Sequence, residues 1–263
     1  MELSFKSSYK VGFISPPGWF DISPMDFLGI APQKTIVMQT LMRPPEFDYS
    51  VAQLMGSVPE LKLCFDSLAG TGADVVAQFG YPFSLVHGWE KARQIQNEIQ
   101  GNGHTKFRMM GVEMINALRF LNANSIAIAS TYYSRKMSDI LHHYLKEANV
   151  SIVYSENWQE QGILTEKESS SFIGEGELDP MNWKTPINTV RESVKSVAVK
   201  APKADCILVV GGGMRLLNEV ETLESAVGKT VISGDIILYW SILRALGIKY
   251  SIAGQGKLLA CLS

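Results

Sequence analysis

Cysteine is scarce in this sequence: 263 residues contain three, Cys64, Cys206 and Cys261. They are widely separated and form no C-x-x-C or His/Cys ligand pattern, so neither a metal site nor a disulfide framework is indicated. Free thiols without an export signal suggest a reducing compartment, and a cytoplasmic location is expected. The opening stretch, MELSFKSSYK, lacks the apolar segment of a secretory signal. No uninterrupted apolar run approaches the roughly 20 residues that span a bilayer, so no membrane partner is expected. Excess charge is missing too. The formal net charge is -2, and no Lys/Arg run exists to track a phosphate backbone, which argues against nucleic acid. There is no dinucleotide G-x-G-x-x-G pattern and no Walker motif, and no cofactor is expected.

What is present is an ordinary globular balance, 46% hydrophobic and 19% charged, over a length that suits one large or two small domains. Short Val- and Ile-rich runs alternate with helical patterns. The strand candidates are Val11–Ser15, Thr35–Gln39, Asp74–Phe79, Ser125–Ala129, Ser151–Tyr154, Asp205–Val210 and Thr230–Ile232. Most are apolar throughout, as parallel strands covered on both faces should be. Between them fall helix candidates Val51–Ala69, Leu85–Gln100, Val112–Leu121, Ser134–Glu147, Pro186–Lys200, Leu216–Val227 and Ile237–Leu246. Strand–helix–strand alternation implies βαβ units.

A weak repeat runs through the chain. Asp74-Val-Val-Ala-Gln-Phe-Gly80 and Asp205-Cys-Ile-Leu-Val-Val-Gly211 are both apolar strands ending at Gly; Val11–Ser15 and Ile126–Ser130 both end in a small polar residue. The expected fold is therefore α/β, with two pseudo-symmetric Rossmann-like (flavodoxin-like) halves. They cover 1–121 and 122–263, each has a parallel sheet, and the last helix is a candidate to pack back on the first half. The Gly- and Ser-rich stretch Ser169–Trp183 reads as a lid or as an ordinary surface loop. In parallel sheets ligands sit beyond the C-terminal strand ends. Two facing halves put four such ends around one cleft: Ser15–Gly18, Gly80–Ser84, Ser130–Tyr133 and Gly211–Arg215.

At these ends the sequence resembles the arylmalonate decarboxylase and maleate isomerase branch of the aspartate/glutamate racemase superfamily. The matching pieces are Gly12-Phe-Ile-Ser-Pro-Pro17, Gly72-Ala-Asp-Val-Val-Ala-Gln-Phe-Gly80, Ile126-Ala-Ile-Ala-Ser-Thr-Tyr132, Ile207-Leu-Val-Val-Gly-Gly-Gly213 and Tyr239-Trp240. The resemblance implies an active site between the halves. There, cysteines at the third strand end of the first half and its equivalent in the second move a proton, or attack, next to a carboxylate. In this chain those two positions are Gly80 and Gly211, and no existing cysteine falls at a strand end.

By the resemblance, Tyr132 matches a tyrosine that donates to a substrate carboxylate; a core-edge tyrosine is the plainer alternative. Gly211, Gly212 and Gly213 precede a helix, so their N–H groups can face an anion, or simply permit tight packing. Tyr81 and Pro82 replace the family's Thr/Ser pair, which rebuilds that side of the pocket, and Pro82 has no N–H to give. Ser84 reads as a helix cap. Pro16 and Pro17 shape the first loop, and Trp19 and Phe20 wall the pocket or pack the core. Glu113, in a first helical turn, is either a buried acid–base group or a favourable dipole partner. Asp235 is a second such group or an N-cap. Arg215, and after it Arg108, can fork onto a carboxylate.

Three functions follow. The first is a cofactor-independent, decarboxylase- or isomerase-like enzyme acting on a small carboxylic acid through an enolate-like intermediate held by Tyr132 and the glycine amides. The second is a hydrolase or hydratase using water activated by Glu113 or Asp235. The third is a small-acid binding protein. Self-association into a homo-oligomer is compatible with such a fold.

Overall fold

The computed structural model describes residues 9–18, 21–44, 47–131, 133–165, 187–212 and 214–262. Trp19, Phe20 and the stretch Ser169–Trp183 lie outside the described residues.

Eight strands form two four-stranded, all-parallel sheets. The first holds β1 (Tyr9–Ser15), β2 (Thr35–Leu41), β3 (Val75–Gln78) and β4 (Lys106–Met109) in the order β2-β1-β3-β4. The second holds β5 (Ser125–Ser130), β6 (Ser151–Asn157), β7 (Cys206–Val210) and β8 (Thr230–Ser233) in the order β6-β5-β7-β8. The order is the same in both, and the central strands β3 and β7 are buried along their whole length, as their apolar runs require.

The repeat extends to individual hydrogen bonds. Lys10, in β1, donates its N–H to Asp74 Oδ2 at 2.7 Å, and Ser125, opening β5, donates its own to Asp205 Oδ2 at 2.9 Å. Each aspartate precedes the central strand of its sheet and ties that strand's start to its neighbour's. The amide donors hold the Asp205 carboxyl below its usual pKa.

Around the sheets run α1 (Ser23–Leu28), α2 (Val51–Gly56), α3 (Val58–Gly70), α4 (Pro82–Leu85), α5 (Trp89–Gln100), α6 (Met110–Phe120), α7 (Arg135–Glu147), α8 (Ile187–Lys200), α9 (Val220–Val227), α10 (Gly234–Ala245) and α11 (Gly256–Ala260). Two expected helices are each broken in two. The run from Val51 divides at Ser57, whose Oγ bonds Leu54 O, and Pro59 then sits in the first turn of α3 without an N–H to give. The run from Leu85 divides at His87–Gly88, and Glu147 of α7 caps α5 by accepting Trp89 N at 2.7 Å. Strand β4 was not expected; with Lys106 and Arg108 in four residues it has no apolar run to announce it.

Helix α10 is apolar on every side and is buried from Gly234 to Leu243. It follows β8 of the second sheet yet packs on β3, β4 and α6 of the first. Burying each of Ile236, Ile237, Leu238, Ile242 and Leu243 contributes about 2 kcal/mol. Tyr239 on the same helix donates its hydroxyl to Ser23 O, 3.1 Å away in the first sheet's layer. Among the described residues no helix is long and apolar enough to cross a membrane.

Candidate active site

Parallel strands deliver their chain reversals at one edge of the sheet. The turns after β3 and β7 begin with Gly80 and Gly211, whose φ values are 108° and 134°. A side chain is strained in that region, so glycine is the residue these turns demand.

Turn one is closely packed. A Cβ on Gly80 would stand 3.2 Å from Pro16 Cγ and 3.3 Å from Phe83 Cδ2. The buried amide of Gln78 donates to Gly80 O at 2.9 Å and to Phe79 O. Pro82 opens the short helix α4, and Ser84 lies inside that helix. The expected cap is therefore not made: Ser84 Oγ is buried without a partner among the described residues. Tyr81 points across to the other half, with its Cε2 3.0 Å from where a Cβ on Gly234 would be. Its hydroxyl is buried and also unpartnered among the described residues. Burial, and then the charge of Asp235, hold its pKa well above the usual phenol range.

Turn two hangs on a carboxylate. Asp235 Oδ2 accepts Leu216 N at 3.2 Å, and Oδ1 accepts the Ser233 hydroxyl. The N-cap residue of α10 is Ser233, so Asp235 sits in the first turn and fastens the glycine-rich segment to β8. Burial raises its pKa above the ordinary 3.8. On the other flank, Thr131 at the end of β5 donates its hydroxyl to Val210 O at 2.6 Å. Gly211 is buried and Gly212 half-buried; Tyr132 and Gly213 lie outside the described residues. Arg215 is exposed, holds φ at 53°, and opposes the burial-raised pKa of Asp26 in α1.

The loop after β1 contributes a group that the sequence reading passed over. Asp21 is 6% exposed. It accepts Ser15 Oγ at 3.0 Å and Ser23 N at 2.9 Å, while Gln39 Nε2 donates to Ser15 Oγ at 2.8 Å. Burial, more than any other cause, raises its pKa. An Asp two residues before Ser23-Pro24 is an ordinary Asx-turn signal, which is why nothing in the sequence marked it as buried.

Of the expected residues, Pro16, Gly80, Tyr81 and Pro82 follow strands of the first sheet, Gly211, Gly212, Arg215 and Asp235 follow strands of the second, and Tyr81 reaches Gly234 across the two. Glu113 does not join them. It is buried in α6, accepts Gln96 Nε2 and Asn116 Nδ2, both at 3.2 Å, and faces Arg108 Nε at 3.8 Å. None of the strand-end residues lines the pocket it borders. Among the described residues, no group of three or more His, Cys, Asp or Glu side chains could hold a metal ion.

A family model for arylmalonate decarboxylase matches residues 48–167 and 177–259. No curated protein matches the chain in sequence. In fold it is similar to a maleate cis-trans isomerase of Nocardia farcinica with a covalently bound succinylcysteine intermediate: TM-score 0.77, 20% identity, 96% of this chain and 98% of that one. It is also similar to the maleate isomerase Iso of Pseudomonas putida S16, with TM-score 0.78 and 17% identity over 97% of this chain and 99% of that one. An unliganded arylmalonate decarboxylase gives TM-score 0.75 and 19% identity over 96% and 99%. At these identities the shared property is the fold.

Proposed function

The chain belongs to the arylmalonate decarboxylase family, and from that premise we propose that it is a cofactor-independent enzyme that decarboxylates or isomerises a small carboxylic acid at the facing strand ends. The observation that carries this reading is the pair of glycine turns, Gly80 and Gly211, at equivalent ends of two sheets with the same strand order. By the family resemblance these are the cysteine positions. A positive φ at each makes a thiol-bearing side chain strained there.

The chemistry is then divided among other groups. For a malonate-type acid, the bond between the α-carbon and one carboxyl breaks, carbon dioxide leaves, and the electron pair forms an enolate. By the family resemblance, its oxygen is stabilised at the glycine turn after β7 and by the Tyr132 hydroxyl. Asp235 is a positioning residue, since it holds Leu216 and with it the far end of that turn. A proton must return to the α-carbon. Asp21 is a suited donor because burial favours its protonated form. A raised pKa also makes the ionised carboxylate a stronger base, which supports a second reading, in which Asp21 activates water for hydration or hydrolysis. Glu113 has no part in either scheme.

Proton NMR in heavy water, with arylmalonates, other malonates and maleate, tests the proposal. Expected is loss of a carboxyl group with deuterium at the α-carbon, slowed about 100-fold in kcat/KM by Tyr132→Phe. Ligand-induced stabilisation with no turnover across the panel would overturn it in favour of a binding protein.

A further inference from the structure

Away from the strand ends, Glu113 borders a groove between α6 and α10, closed at one side by β4 and α5, with a volume of about 470 Å³. Its lining carries three guanidinium groups, Arg108, Arg119 and Arg244, against the single carboxylate of Glu113. An excess of positive charge in a chain whose net charge is -2 is a local feature, not a general one.

Each arginine is already held in place. Arg108 donates to Phe107 O at 2.8 Å and to Gln100 Oε1 at 3.4 Å. Arg119 lies 5.0 Å over the Trp89 ring and donates to Ala148 O at 3.4 Å. Arg244 lies 4.7 Å from the Phe120 ring centre and 4.9 Å from that of Trp240. Glu113 is served by Gln96, Asn116 and Arg108, so it fixes the groove's wall and leaves the other two guanidiniums without an acidic partner in it. Pinned arginines lose little freedom when an anion arrives.

Two residues of the lining, Trp240 and Ser241, carry further donors. Trp240 Nε1 and Ser241 Oγ belong to residues only 2% and 3% exposed, and neither atom has a partner among the described residues. A buried donor left without an acceptor costs about 1–3 kcal/mol.

We propose that this groove is a second binding site, separate from the strand ends, for a small organic dianion. Its anionic oxygens pair with the guanidiniums of Arg119 and Arg244 and, as the groove yields to it, with the Trp240 and Ser241 donors. Two negative charges balance the surplus of three cations over one anion. A dicarboxylate and a phosphate monoester share this chemistry.

Isothermal titration calorimetry with succinate and with phenyl phosphate tests the site on the full chain. Measurements cover wild type, Arg244→Gln, Ser241→Ala and Tyr132→Phe. Expected is binding of at least one probe that weakens about tenfold or more in Arg244→Gln and measurably in Ser241→Ala, while the Arg244-dependent binding persists in Tyr132→Phe. The tighter probe identifies the anionic head. Binding left unchanged by Arg244→Gln, or lost in Tyr132→Phe, would place the anion elsewhere and overturn the proposal. So would the absence of heat from both probes at millimolar concentration. Arg244 is exposed, so its replacement does not threaten the fold.

Discussion

The turn after β3 and the turn after β7 occupy the same place in two sheets of the same order, and they are secured by different chemistry. Turn one is gripped by Pro16, Phe83 and the neutral amide of Gln78. Turn two is gripped by the buried carboxylate of Asp235 through Leu216 N and Ser233. Duplicated topology therefore fixes where the turns fall, and leaves open what holds them. Shape secures the first, and a polar network that answers to pH and charge secures the second.

The largest effect should come from breaking the polar anchor. Asp235→Ala leaves the Leu216 amide and the Ser233 hydroxyl without their acceptor inside the protein. A loss of about 3 kcal/mol in urea unfolding is expected, together with loosening of the glycine-rich turn. A loss under half of that would mean that turn two is held by packing, like its counterpart.

Next comes the apolar turn. Gly80→Ala forces a Cβ into a strained φ and against Pro16 and Phe83, and should cost about 2 kcal/mol by the same measurement. No pH dependence is expected in that cost, since no ionisable group touches the turn's contacts named above.

The smallest effect sharpens the contrast. Burial raises the Asp235 pKa above 3.8, so the unfolded chain gives up this proton first as pH rises. The protonated form's share of stability is complete below the unfolded value and is lost as pH climbs through the raised folded value. Asp235→Asn should flatten that decline when unfolding is followed from about pH 4 to about pH 7, whereas Gly80→Ala should leave the slope as in wild type. An unchanged slope in Asp235→Asn would assign the decline to Asp21, whose pKa burial also raises.

Much of this was legible along the chain. Each expected strand is present, because runs such as Cys206–Val210 are apolar at every position and short. Ser134, where the expected helix begins, caps α7 through Met137 N. The repeats ending at Gly80 and Gly211 mark the two turns. What escaped was set by neighbours distant in sequence. Strand β4 exists because β3 pairs with it, although its own residues alternate charge and apolar side chains. Asp21 is buried because the loop after β1 folds under Ser15 and Gln39. Glu113 was placed correctly in a first helical turn, but its face of α6 turns toward α5 and β4.

The sequence by itself determined the alternation of strand and helix, the doubling of one βαβ pattern, and glycine at two matching strand ends. Period, propensity and repetition are local properties that each segment carries with it. The tertiary structure turned the packing of α10 on the first sheet from a possibility into a fact, and alone decided that Asp235 anchors a loop and that three arginines share a groove with two unpartnered donors. Those facts depend on which faces are brought together, and a face acquires its partner only when the chain packs.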